Sequence, residues 1–445
     1  MLTIVDLRCA GDGTGPGLDL DALADRTGAP MPHDVEEAVR GILDDVRDRG
    51  DAAVRELTER FDGCRLETSL VDPAEAEAAW EGAGGDLRGW LEHAARRIRA
   101  YHEAQAAAAG PVVLDSEGVR VEEVIRPVER AGLYVPGGRA AYPSTVLMTA
   151  VPAAVAGVGE RVLCVPPGPD GAVAPPTLAA ARLAGVEEIH RIGGAQAVAA
   201  MAYGTGSIRP VDVVVGPGNT YVDVAKRLVA AEGVVGIDGP AGPSEVVVVA
   251  DASVDPAWVA ADLAAQAEHG PGGTIALVAW DESVVTAVGE ALDALVAASE
   301  RHAEIRGTLA AGGTGILVAG EAAALAVVNR LAPEHLQLMV ADPESLLGGV
   351  RHAGAVFCGA FAPAALGDYA AGANHVLPTG RAARFSSALR VDTFRRHVHV
   401  VRADPTGAAA LAPVVSGIAR AEGLVEHARA AELRAGAAAP ADPHP

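Results

Sequence analysis

The sequence predicts an α/β protein made of two Rossmann-like doubly wound domains, with an N-terminal arm and a small C-terminal domain. Three observations carry this. Short, continuous apolar runs (RVLCV, VDVVV, SEVVVVA, TIALVA, GILVAG) have the composition of strands covered on both faces. Amphipathic helical segments lie between them, which is the alternation of a parallel sheet. Two such strand–helix series occur, one on each side of about Gly239.

In chain order, residues 1–30 read as an arm, Gly-rich at GDGTGPG and then briefly acidic. From about Asp34 to Ala108 apolar residues recur at helical spacing, in EEAVRGILDDVRDRG, DAAVRELTERFDG and WLEHAARRIRAYHEAQ. Gly50 and Gly63 stand where helix C-caps are expected. From Val112 the period changes to the alternation of strands, through VVLDSEGVRVEEVIRPVERAGLYVP. The alternating strands and helices follow. From about Ser386 a strand (RRHVHVVRA) and one or two helices close the chain, and 436–445 read as a disordered tail. The predicted domains are 31–133 together with 244–388, then 134–243, then 389–435.

Composition narrows the function classes. The 445 residues are 50% hydrophobic, enough for large cores, and carry a net charge of −23. Such an acidic chain offers no electrostatic footprint for nucleic acid or anionic lipid. The longest apolar window, Thr145 to Val158, is broken by proline and shorter than the ~20 residues of a membrane span. The first residues lack the basic and apolar regions of a signal peptide. Cys9, Cys64, Cys164 and Cys358 form no C-x-x-C pair, so a cysteine-rich zinc site is excluded and any metal must take N and O ligands. A reducing, cytoplasmic location is expected.

The chain has no G-x-G-x-x-G after a strand, no P-loop, no H-E-x-x-H and no G-x-S-x-G. Four Gly-rich turns, in GLYVPGGRAAYP, RIGGAQ, VGPGN and GPAGPSE, together predict a binding crevice, expected at the carboxyl ends of strands. Among thirteen histidines, two stand out. His269 ends a helix in QAEHGPG, three residues after Gln266; a metal cation is favoured at a helix C-terminus, and a capping histidine fits equally well. His335 follows Glu334 in LAPEHLQLM, a carboxylate beside an imidazole and so two proton acceptors in one loop, although a solvated dipeptide has the same sequence. Asp368 lies in the Gly-rich ALGDYAAGANH, and His427 follows Glu422 by five residues in EGLVEH. Cys164 and Cys358 sit inside apolar strands, where a thiol is inert.

ERAGLYVPGG, YPSTVLMTAVPA, IGGAQAVAAMAYGT, GPGNTYVDVAKR, AGPSEVVVVAD, QAEHGP, LAPEHLQLM, LGDYAAGANHVLPTG and EGLVEH occur in this order. Over nearly its whole length the chain resembles the histidinol dehydrogenase family. The resemblance implies two-step oxidation of L-histidinol through L-histidinal to L-histidine, the last steps of histidine biosynthesis, using NAD+ and one zinc ion per subunit. By motif, zinc falls to Gln266, His269, Asp368 and His427, which also contact substrate. Glu334 and His335 become the acid–base pair, with His335 also touching substrate; Ser244 and Glu422 contact substrate. NAD+ lies against Tyr134, Gln196 and Asn219. The resemblance also implies a homodimer with shared active sites, the C-terminal domain reaching the partner subunit.

Two departures stand out. FAPAALGDY replaces an expected Thr-Pro-Glu, and Ala388 stands where glycine is usual. They leave open a related zinc- and NAD-dependent dehydrogenase acting on another small polar alcohol, such as sulfopropanediol; the Glu422–His427 spacing favours histidinol. A non-catalytic α/β binding protein would have lost its acid–base residues, and both are present.

Overall fold

A computed structural model of the chain describes residues 2–8, 33–108, 110, 112–137, 140–240, 242–270 and 272–436. It divides into a large unit, drawn from Met1–Gln105 and Glu129–Phe394, and a small one, drawn from Ala106–Val128 and Arg395–Pro445.

The large unit opens with β1 (Thr3–Asp6) and the helices α1 (His33–Arg49), α2 (Asp51–Asp62), α3 (Pro73–Gly82) and α4 (Gly85–Ala108), the last running into the small unit. After β2 (Val113–Ser116) and β3 (Val119–Pro127), which belong to the small unit, come β4 (Arg130–Tyr134), α5 (Pro143–Ala156), β5 (Glu160–Val165), α6 (Pro175–Ala184), β6 (Glu188–Arg191), α7 (Gly194–Tyr203), β7 (Val213–Val215), α8 (Thr220–Ala231) and β8 (Gly236–Ile237). The second series is β9 (Val246–Ala250), α9 (Pro256–Ala267), β10 (Ile275–Ala279), α10 (Glu282–Ala298), α11 (His302–Gly312), β11 (Gly313–Leu317), α12 (Glu321–Leu331), β12 (His335–Met339), α13 (Pro343–Leu347), β13 (Ala355–Cys358) and α14 (Ala364–Tyr369).

Each series makes one parallel sheet, ordered β6-β5-β4-β7-β8 and β1-β11-β10-β9-β12-β13. The apolar runs explain this: all five residues of β9, β10 and β11 are buried, as strands flanked by helices on both faces require. Helix starts follow their capping residues. Asp72 and Glu75 form a capping box at α3, and Asp255 and Asp281 accept first-turn amides of α9 and α10. No helix among the described residues is long and apolar enough to cross a membrane.

The boundaries differ from those expected, because long-range pairing decides them. Helices α1 and α2 were grouped with residues 244–388. Their apolar stripe (Val39, Leu43, Val46, Val54, Leu57) instead packs with α7 and α8 in the core of the five-stranded sheet. That sheet begins at β4, so 134 is not its first residue. Strands β2 and β3 leave the expected 31–133 segment altogether. They join β14 (Arg395–Ala403) in an antiparallel sheet ordered β14-β3-β2, which the small unit completes with α15 (Pro405–Ala421) and α16 (Val425–Ala435). Within the expected arm, residues 3–6 pair with β11, and 9–30 lie outside the described residues, as does the tail beyond Gly436.

Candidate active site

Glu334 and His335, the expected acid–base pair, lie at the amino ends of β9 and β12. Helix α12 stops at Ala332, whose φ of 47° is unusual for a residue with a side chain, and Pro333 turns the chain into β12. Parallel pairing of β12 with β9 then brings Glu334 beside Glu245, the residue before β9. The two carboxylates exchange backbone amides: Glu245 N donates to Glu334 Oε2 at 2.8 Å, and Glu334 N to Glu245 Oε2 at 3.2 Å. Gly380 N donates to Glu245 Oε1 at 3.0 Å. Glu245, Glu334 and His335 are all buried.

His335 is oriented by the same residue. Its Nδ1 donates to Glu245 O at 2.9 Å. A carbonyl can only accept, so this bond keeps the proton on Nδ1 and leaves Nε2 as the exchanging atom. Nε2 is buried without a hydrogen-bond partner, 3.5 Å from Asp368 Oδ1. The Phe357 ring stacks at 6.0 Å from the imidazole. Asp368 sits near the end of α14, where His375 Nδ1 donates to its carbonyl oxygen at 2.9 Å and His375 Nε2 meets Thr145 Oγ1 at 3.2 Å.

Electrostatics couple these groups. Burial, and then the Glu334 charge, push the Glu245 carboxyl up to about 8. Burial acts against charge on His335, but Glu334 and Asp368 outweigh it and hold that pKa well above the ordinary value. Burial would raise Asp368, yet His335, followed by His375 and His269, holds its carboxyl below the usual range. Burial keeps His375 low.

Of the expected site residues, Glu334, His335 and Asp368 come together directly. Gln266 is buried in the last turn of α9, and His269 lies just beyond it, close enough to act electrostatically on Asp368. Ser244 adjoins Glu245 and is half-buried. Glu422 and His427 belong to the small unit, at the end of α15 and in the first turn of α16, both exposed. Among the described residues no three His, Cys, Asp or Glu side chains gather as a metal shell. Burial raises the thiol pKa of Cys164 and Cys358, as expected of inert cysteines.

Glu245 and His375 were not anticipated. The one available signal for Glu245 was its charge immediately before five apolar residues, where a carboxylate must be buried or the strand must end. His375 carried no local signal. The site's position also differs from expectation. The GPAGPSE turn leads into β9 rather than closing a strand, so this cluster occupies strand amino ends. Helix α9 runs back along the sheet and delivers Gln266 there.

The carboxyl ends of the five-stranded sheet hold a second feature, a cleft of about 1600 Å³ lined by Tyr134, Gln196 and Asn219 together with Phe61, Asp62 and Pro166. Tyr134 ends β4, and its hydroxyl accepts from Gly194 N at 3.1 Å. Gln196, in the first turn of α7, is buried with Oε1 unpartnered. Asn219 caps α8, its Oδ1 accepting from Val222 N at 3.2 Å. Three residues from three separate turns thus share one cleft, beside helix N-termini that favour anionic groups.

A family model described as histidinol dehydrogenase matches residues 26–435. A histidinol dehydrogenase of Pseudomonas aeruginosa is 49% identical over 403 residues, 90% of this chain and 91% of the relative. One of Parasynechococcus marenigrum is 46% identical over 431 residues, 96% and 97% of the two chains. The crystal structure of histidinol dehydrogenase from Elizabethkingia anophelis superposes with a TM-score of 0.90 at 33% identity, covering 97% of this chain and 98% of that one. The order of motifs, the fold and these matches agree: the chain is an oxidoreductase and belongs to the histidinol dehydrogenase family.

Proposed function

We propose that the chain oxidises L-histidinol to L-histidine through L-histidinal, in the cytoplasm, with NAD+ bound in the cleft and zinc at the Asp368 end of the acid–base cluster. The observation that carries this is the buried Glu334–His335 pair, held by Glu245 with one imidazole nitrogen left unpartnered.

In its neutral form, with the proton on Nδ1, His335 takes the hydroxyl proton of the alcohol at Nε2 as hydride departs from the same carbon. Glu334 takes a proton from the water that adds to the aldehyde, while protonated His335 returns its proton to the carbonyl oxygen, giving the hydrate and a neutral imidazole. A second hydride loss from that carbon, with His335 again accepting a hydroxyl proton, leaves the carboxylic acid, which releases its remaining proton to water as the carboxylate. Each hydride loss reduces one NAD+. Tyr134, Gln196 and Asn219 hold the dinucleotide, and Ser244 and Glu422 contact the substrate.

Asp368, kept anionic by neighbouring imidazoles, and the amide of Gln266 with His269 at a helix carboxyl end form an N/O donor set suited to zinc. These are three donors, and His427 from a second copy of the chain would complete the four. Bound there, zinc would orient the substrate's amine and imidazole and keep them neutral. The small unit supports a dimer: Val414, Ile418, Leu424, Val425 and Leu433 are exposed apolar side chains on its helices, a surface that a second copy would cover.

The test follows NADH absorbance with purified protein, NAD+ and L-histidinol, with and without a chelator, against sulfopropanediol as competing substrate. Two NADH per histidinol, lost on chelation, is expected. Turnover of sulfopropanediol alone overturns the substrate assignment, and full activity of metal-free protein overturns the zinc.

A further inference from the structure

The chain contains a single lysine, Lys226, among 35 basic residues. Its place in the fold accounts for a lysine there. Lys226 lies on α8 with no exposed surface. Its Nζ donates to Gly216 O at 3.0 Å and is paired with Asp238, which follows β8 and is buried too. Asp238 Oδ2 accepts from Gly216 N at 2.7 Å. Both peptide groups of Gly216 are therefore clamped by one buried ion pair.

Gly216 joins the two sides of the nucleotide cleft. It has a φ of 117°, and a Cβ there would stand 2.0 Å from Tyr134 O, so its backbone presses on that of Tyr134. Three residues later, past Pro217 and a Gly218 that has no room for a Cβ against Val222, the same turn ends at Asn219. The clamp fixes the relative placement of Tyr134 and Asn219. An arginine, planar and longer, could not fill this enclosed space between a carbonyl and a carboxylate.

We infer that Lys226 and Asp238 are positioning residues for the dinucleotide: their ion pair holds the Gly216–Asn219 turn against Tyr134 and thereby sets NAD+ affinity. This rests on the cleft being the NAD+ site. Neither residue lines the cleft. The effect reaches the dinucleotide through the backbone, and the chemistry at Glu334 and His335 lies on another sheet.

The experiment compares Lys226→Met, Asp238→Asn and the double variant Lys226→Met/Asp238→Leu with Asn219→Ala. The double variant removes both charges, so it avoids the uncompensated buried charge that could unfold a single variant. KM for NAD+, KM for histidinol, kcat at saturating NAD+ and melting temperature are measured for each. The expected result is a rise of about tenfold or more in the NAD+ KM for folded variants, with histidinol KM and kcat within about twofold. A structural loss alone would instead lower the melting temperature and the active fraction without changing the NAD+ KM, and would overturn the inference. If Asn219→Ala raises the NAD+ KM and none of the ion-pair variants does, the positioning role fails and the cleft assignment survives. If Asn219→Ala also leaves NAD+ binding untouched, the cleft assignment falls and takes this inference with it.

Discussion

Glu245 and Glu334, 89 residues apart, each accept the other's backbone amide across the pairing of β9 with β12. Removing the Glu245 carboxylate therefore disturbs both the Glu334 side chain and its backbone. Glu245→Ala leaves the Glu334 and Gly380 amides without their acceptor, at roughly 1–3 kcal/mol for each buried group. It also frees the Glu334–His335 pair, and small misplacements of that kind cost about 100-fold in rate. We expect kcat to fall by about that factor in both half-reactions, with a lower melting temperature. Glu245→Gln keeps one of the two accepting oxygens but turns an NH2 donor toward the second backbone amide, so its loss should be smaller than that of Glu245→Ala without reaching parental activity. Thermal melts with steady-state kinetics check this; a folded Glu245→Ala variant with unchanged kcat contradicts it.

The two bases are assigned different jobs, and their variants should separate the half-reactions. His335→Asn removes the acceptor of the alcohol proton and should block oxidation of histidinol by roughly 100-fold or more. Glu334→Gln should spare histidinol oxidation more than histidinal oxidation, where water must be activated. Stopped-flow measurement of NADH from each substrate reads the two steps apart. Equal losses in both steps for both variants would show that the roles are not divided.

How much of this was legible in the sequence depends on how far apart the partners stand. Glu334, His335 and Asp368 were identified because each lies in a distinctive short motif. Glu245 was passed over beside Ser244, because its burial follows from a strand 89 residues away. His375, in an irregular segment, was passed over because Thr145, which meets its Nε2, comes from the distant helix α5. The two parallel sheets were legible as unbroken apolar runs. The pairing of β3 with β14 was not, since it joins segments about 270 residues apart, although both alternate and both lie outside the strand–helix series. Likewise α1 and α2 showed their apolar stripes but not which sheet would receive them.

Asp62 gives a pH dependence of stability. It ends α2 and lines the cleft; burial pushes its carboxyl from the ordinary 3.8 up to about 6, and one oxygen is buried without a partner. A carboxyl whose pKa is raised by folding binds its proton more tightly in the native state. Stability is then lost as pH rises from about 4 through 6, the reverse of a salt-bridged acid. Asp62→Asn removes that loss. We expect the variant to melt higher than the parent at pH 8, with the gain shrinking to nothing near pH 4. A constant difference across that range would contradict the assignment.

The last prediction concerns where His427 acts. Glu334, His335, Asp368 and His269 belong to the large unit; Glu422 and His427 belong to the small one, exposed on helices whose buried residues are few and small, such as Ala412, Ala419 and Ala428. So small a core gives little stability alone, and docking on a twofold partner would cover the apolar side chains it leaves in water. If each site takes His427 from the other copy, two inactive chains can complement one another. His335→Asn and His427→Ala chains, refolded together, would form mixed dimers in about half of all assemblies. Each mixed dimer would carry one doubly damaged site and one site with every group present. About a quarter of wild-type activity should return, in a mixture whose separate parents are inactive. If His427 serves its own chain, every site in every dimer carries one lesion, and the mixture stays as inactive as either parent.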